Sequence, residues 1–302
     1  MKRNVIAQGP STLIISLPAK WVKKYGIVKG NQLDLLEDGR KITISTESID
    51  NHIKSITVKL LEQNYYYVWT EILTYFIAGY DEIRVENIDK KSMDFIETEA
   101  IKAMMGFDIV EQTTQYVVLR KVMGEDSKEF DTIMRRIFLG LIEQSKILLN
   151  YFKTGEDLDF ILTLERTNNR QCVYLKRLLT KEGFVKQDKI VFASILLEHL
   201  LGVADAFKYL MWSIQKEKMI KFDSKIIDIC NQIHKKLELN YKLYFNYSSE
   251  LFEQIENHTI RLDSRSGDVV DDIVLNPIAM FQIACIINIL RHVSYQTQGI
   301  NS

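Results

Sequence analysis

A set of cations near the N-terminus is the first group of residues that could do chemistry. It comprises Lys2, Arg3, Lys20, Lys23 and Lys24, with the hydroxyls of Ser11 and Thr12 among them. Residues 1–45 hold eight Lys and Arg against Asp34, Glu37 and Asp38, a net of +5 in a chain of net charge −1, so the remainder carries −6. A small positive unit on an acidic body is an electrostatic footprint for the phosphates of nucleic acid. The same charges also suit the solvated helix face of a dimerisation module. Lys outnumbers Arg, and few side chains suit bidentate reading of bases. Contacts should therefore go mainly to phosphates, with Ser11 and Thr12 donating hydrogen bonds.

A second set pairs carboxylates with amides. Leu158, Glu165, Cys172 and Leu179 are spaced by sevens and share one helix face. Glu165 and Asn169, at i and i+4, interrupt that otherwise apolar stripe. The segment LERTNNR recurs as FEQIENH, which sets Glu253 against Glu165 and Asn257 against Asn169, both at an offset of 88. LLGVAD, starting at Leu200, recurs as ILRHVS, starting at Ile289, at an offset of 89. Two pairs at nearly one offset imply a duplicated three-helix unit. Hard cations need several converging anionic oxygens, and His199 and His292 could add nitrogen ligands. The other reading is a buried hydrogen-bond network of Glu165, Asn168 and Asn169 that sets helix register.

The cations must be positioned by GPSTLIISLPAKWVKKYGIVKG, residues 9–30. Leu13, Ile15 and Leu17 alternate with Thr12, Ile14 and Ser16, the period of a strand. Pro18 stops the strand and suits the first position of a helix. Trp21 and Tyr25 share a helix face, and Gly26 caps its C-terminus. Leu33 and Leu35, a tight turn at Asp38-Gly39, and Ile42 and Ile44 predict a hairpin. With Val5–Ala7 as a first strand, residues 1–46 read β-β-α-β-β. A unit of that size without cysteine cannot bury enough surface alone. A second copy is expected to complete it.

This run resembles the swapped-hairpin AbrB/SpoVT/MazE-type domain, in which two chains interleave their hairpins into one small β-barrel and many members bind DNA. Lys23 and Lys24 match a basic pair on that family's helix. Ile6, Ala7 and Gln8 precede the first turn and Ser16 lies in the second strand, where DNA-binding members often carry basic residues.

Behind the head, residues 53–122 read as a small α/β section of order β-α-β-α-β-β. Its strands are marked by Ile53–Leu61, Ile83 with Val85, Ile109, and Tyr116–Leu119. Its helices are marked by Val68, Ile72 and Phe76, and by Ile96, Ala100 and Met104. No catalytic constellation stands out there, and dimerisation or spacing is the expected role. Residues 127–302 keep helical spacing, as in Leu196, Leu200, Val203 and Phe207, with breaks dividing them into about six helices of a bundle. The fold class expected is therefore multidomain and mainly α.

The duplicated helical pattern resembles PhoU, whose two three-helix repeats carry acidic motifs that bind metal clusters. Head, spacer and bundle together resemble the archaeal phosphate uptake regulators. That resemblance implies a metal set of Glu165, Asn169, Asp205, Glu253 and Asn257. Asn169 and Asn257 stand where the family has Asp, while Leu201 and Leu290 replace its Glu. A divalent metal or iron is thus expected only at low occupancy. The resemblance implies a phosphate-responsive transcriptional regulator. The alternative is an adaptor for a phosphate transporter's ATPase or a signalling partner, with the head as a dimer clamp.

No Gly-rich phosphate loop, nucleophile elbow or paired-carboxylate site is present, so no enzyme is expected. The three cysteines are widely spaced and fit a reducing cytosol. The N-terminus lacks the apolar core of a signal peptide. The longest apolar run, Ile278–Leu290, contains Gln282 and Asn288 and is too short to span a bilayer. A cytoplasmic location without membrane insertion is expected.

Overall fold

The computed structural model describes residues 2–10, 12–38, 41–46, 53–124, 129–181, 185–217, 224–258 and 277–301. Ser11 and the Gly39 half of the expected turn lie outside them. The chain divides into two compact units, Met1–Ile53 and Lys54–Ser302.

In the first unit, β1 (Val5–Ala7) pairs antiparallel with β2 (Leu13–Ile15), with Ile6 opposite Ile14. Gly9, at φ 94°, makes the turn, closed by Gln8 N–H donating to the Thr12 carbonyl at 2.8 Å. Such a positive φ is open to glycine at no steric cost. Helix α1 (Ala19–Lys24) begins one residue later than the sequence suggests. Pro18 is its N-cap rather than its first residue, because its ψ of 123° is extended while its carbonyl already accepts from Trp21 and Val22. Gly26, at φ 63°, ends the helix as expected. Strands β3 (Asp34–Asp38) and β4 (Lys41–Ser45) form a second hairpin with Leu35 opposite Ile44. The two hairpins remain separate two-stranded sheets.

The second unit opens with a four-stranded sheet of order β5-β6-β8-β7. Strand β5 (Ser55–Lys59) runs parallel to β6 (Glu82–Glu86); β7 (Phe107–Gln112) and β8 (Tyr116–Lys121) are antiparallel. Helix α2 (Tyr65–Ile77) links β5 to β6 and is capped by Asn64, whose side chain accepts from Tyr67 N–H. Helix α3 (Lys90–Phe95) is capped by Asp89 and continues through a π turn at Ile96–Ala100 into α4 (Ile101–Ala103). Alternation buries Ile83 and Val85 of β6 and Val117 and Leu119 of β8, against Val68, Ile72 and Phe76 of α2.

Six helices follow: α5 (Glu129–Thr154), α6 (Phe160–Leu179), α7 (Ile190–Glu217), α8 (Ser224–Phe245), α9 (Ser249–Asn257) and α10 (Pro277–Asn301). Helix α5 packs on α6 and α8, while α7 packs on α6 and α10. Glycines bring the helices close. A Cβ on Gly140 of α5 would meet Asn168 Oδ1 at 2.4 Å, and one on Gly202 of α7 would meet Ile289 of α10 at 3.3 Å.

Sheet and bundle share one hydrophobic core. They are joined through Arg177 of α6, which is 0% exposed. Its guanidinium donates to the carbonyls of Phe76 (2.8 Å) and Tyr80 (2.6 Å) and to Asp81 Oδ1 (2.7 Å), and lies over the rings of Phe76 and Phe107. Lys181 reaches the same Asp81 oxygen at 2.8 Å. Burial alone pushes the Asp81 carboxyl up. The hydrogen bond and charge of Lys181, with the charge of Lys121, outweigh that and hold its pKa below the usual value.

Helices α7 and α10 are long and apolar enough, by length and composition, to cross a bilayer. Counting only uninterrupted apolar runs misses this, since their polar residues are scattered. Their buried stripes, Leu196–Val203–Leu210 and Ile283–Ile286–Leu290, belong to the bundle core.

Candidate functional site

The cationic set of the head is solvent-facing throughout. Lys2, Arg3, Thr12, Lys20, Lys23 and Lys24 are all exposed. Lys23 and Lys24 occupy the last turn of α1, where the helix dipole favours positive charge. The Lys24 ammonium lies 5.0 Å from the Tyr25 ring, and Tyr25 leans on Trp21. Two turns of helix thus present a basic edge on an aromatic base.

The apolar residues of the same unit are just as exposed. Leu13 is 71%, Val28 66% and Leu35 68% accessible. Among the described residues of the head, none is buried. Strand alternation that should hide one face hides neither. Exposed apolar residues in such number suit association with a partner surface.

In the helical unit, the structure brings Glu165, Asn169 and Asp205 together. Glu165, on α6, is 5% exposed. Asn169 Nδ2 donates to Glu165 Oε1 at 2.6 Å. Sequence reasoning missed the fourth member, Lys208 of α7. Its ammonium donates to Glu165 Oε1 at 2.5 Å and to Asp205 Oδ1 at 2.6 Å. A signal was available, because Lys208 follows Asp205 by three residues and must share its helix face. Burial pushes the Glu165 carboxyl up. Lys208 opposes that shift, Asp205 reinforces it, and the result stays raised. Burial works against the charged Lys208 too, yet its two carboxylate partners raise its pKa. The lysine is therefore the cation of this centre, and a metal ion would have to displace it.

Asn168 does not join that network. It turns the other way, toward Gln144 of α5 (3.5 Å), which donates to the Ile161 carbonyl at 3.2 Å. Glu253 and Asn257 are not brought to a site either. Leu251, Phe252 and Ile255 carry the apolar face of α9, which turns Glu253 and Asn257 outward to solvent. Glu256, three residues on, is the carboxylate that faces α10, accepting from Ser294 Oγ and Tyr295 OH, both at 2.8 Å. His199 of α7 and His292 of α10 stack with centroids 5.5 Å apart, and burial with the His292 charge lowers the His199 pKa. Among the described residues, no group of three or more His, Cys, Asp or Glu converges as a metal site.

Removing the Lys208 ammonium should leave two carboxylates facing each other with one of them buried. Lys208→Ala is expected to cost about 3 kcal/mol at pH 8, the low end for breaking a buried pair, because Lys208 is partly exposed. Glu165 titrates above its unfolded value, and more so without Lys208. The penalty therefore grows as pH rises through the raised Glu165 pKa and shrinks as pH falls below it, where Glu165 is protonated. Urea unfolding of both proteins across that range checks it, and a loss independent of pH would contradict the assignment.

Residues 6–50 match the model of a family described as antidote-toxin recognition MazE, a bacterial antitoxin. No curated protein and no solved structure matches the chain. The N-terminal unit is thus of MazE/AbrB-like type, the kind of domain found in regulators.

Proposed function

We propose that the protein is a DNA-binding transcriptional regulator of phosphate uptake, working as a homodimer through its head. One observation carries the reading: a MazE-like unit with net charge +5 that exposes Lys20, Lys23 and Lys24 on one short helix and Lys2 and Arg3 ahead of its first strand. Two heads would interleave into a barrel, hide the exposed apolar residues and double the cations available to phosphates. The helical unit, with two three-helix halves α5–α7 and α8–α10, is PhoU-like and takes the phosphate-status input in the cytoplasm. Its centre uses Lys208 where a metal would sit in PhoU, so its input does not require a resident cluster. The adaptor reading rests on a different observation. Ile6, Ala7, Gln8 and Ser16 leave the first hairpin without cations, as a pure dimer clamp would.

A gel-shift assay against the promoter regions of the protein's own and neighbouring transport genes, with and without phosphate, separates the two. Retarded bands support the regulator, and their absence at low salt supports the adaptor.

Dimerisation has its own test. Leu13→Asp puts a charge on the most exposed apolar strand position. Light scattering should give about twice 35.3 kDa for the wild-type chain and 35.3 kDa for the variant. An unchanged mass would show that the association runs through another surface or does not occur.

A further inference from the structure

Where α2, α3–α4 and α6 meet, a half-open cleft of about 530 Å³ pairs an aromatic wall with a cationic rim. Trp69 of α2 and Phe95 of α3 form its apolar side, set edge to face with ring centroids 6.3 Å apart. Lys102, Arg166 and Arg170 stand at its rim. All three are exposed, and none has a carboxylate within salt-bridge distance among the described residues. The inner wall carries Asn169, whose amide nitrogen donates to Glu165 and is thereby held in place.

We propose that this cleft binds a nucleoside monophosphate such as AMP. The volume is within the usual range for a small-molecule site. The base stacks on one ring of the Trp69–Phe95 pair and meets the edge of the other, since the two rings are set at 77°. The phosphate lies against Arg166, Arg170 and Lys102; planar guanidiniums suit bidentate contact with its oxygens. Neither a bare anion nor a bare base uses both walls. The site lies wholly within the second unit and does not depend on the DNA reading.

Isothermal titration calorimetry of the full-length protein tests it with AMP, adenosine and inorganic phosphate as separate titrants. AMP is expected to bind at least about tenfold more tightly than either fragment, since base stacking and charge-assisted contacts each carry a factor of that order. Arg166→Ala with Arg170→Ala should weaken AMP by about tenfold or more and leave adenosine unchanged. Both arginines are exposed, so this variant should melt as the wild type does. Trp69→Leu should weaken AMP and adenosine alike, and quenching of tryptophan fluorescence by AMP should fall with it. Three results would overturn the proposal: no heat with AMP at about 1 mM, equal AMP affinity in the double-arginine variant, or phosphate binding as tightly as AMP.

Discussion

Arg177→Met should destabilise the second unit by about 3–5 kcal/mol, the range for removing one partner of a buried ion pair. The side chain is fully buried and ties α6 to the α/β layer through two carbonyls and Asp81. Methionine fills the volume between Phe76 and Phe107 but donates nothing. The Tyr80 carbonyl loses that donor, and an unsatisfied group costs about 1–3 kcal/mol, while the Phe76 carbonyl keeps the Gly79 N–H at 3.1 Å. Lys181→Met should cost far less, about 1 kcal/mol, because Lys181 is partly exposed and Arg177 still holds Asp81. Asp81 titrates below its usual value, so its contribution is present above the unfolded pKa and is lost as pH falls through the folded one. Urea unfolding read by circular dichroism gives these differences. A loss under about 1 kcal/mol for Arg177→Met would mean that the joint contributes little.

Lys23→Ala with Lys24→Ala should cost the protein most of its DNA affinity while leaving the fold in place. In a dimer the change removes four cations. If each neutralises one phosphate, the slope of log K against log salt should flatten by about 3.6, at 0.9 per phosphate. The loss should be similar on all sequences, since these contacts read no bases. Alanine is the better helix former, and both positions are solvent-exposed, so melting should shift little. Fluorescence anisotropy on wild type and variant measures both slopes. A full slope in the variant would place the DNA contacts elsewhere.

What the sequence revealed depended on periodicity. Strand alternation around Leu13 and Ile44, the stops at Pro18 and Gly26, and the apolar spacing of α2 and α7 are local signals, and the corresponding elements form. Pro18 fell one position short because a proline at N-cap and at N1 share the same φ and differ only in ψ. The polar centre was half legible. Glu165 and Asn169 broke an apolar stripe, which marked them as inward-facing, but a lysine on an amphipathic helix reads as solvated until its partners are known. Glu253 was assigned by repeat offset alone. The short apolar face of α9, set by Leu251 and Ile255, points Glu256 inward instead, one turn further on. Arg177 carried no signal, since an arginine late in a helix ordinarily serves the dipole. Its role exists only because Phe76, Tyr80 and Asp81, about a hundred residues away in sequence, are folded against it.

The claim on which the account turns is that the head grips the phosphates of DNA. It is tested most directly by titrating the full-length wild-type protein onto a fluorescent duplex of about 30 base pairs at salt from about 50 to 300 mM. The account predicts binding at low salt and a straight line of log K against log salt, falling more steeply than a single phosphate contact allows. Its steepest limit is about −9, set by five cations in each of two heads. No binding at 50 mM, or an affinity independent of salt, would contradict it and leave the head as a dimer clamp.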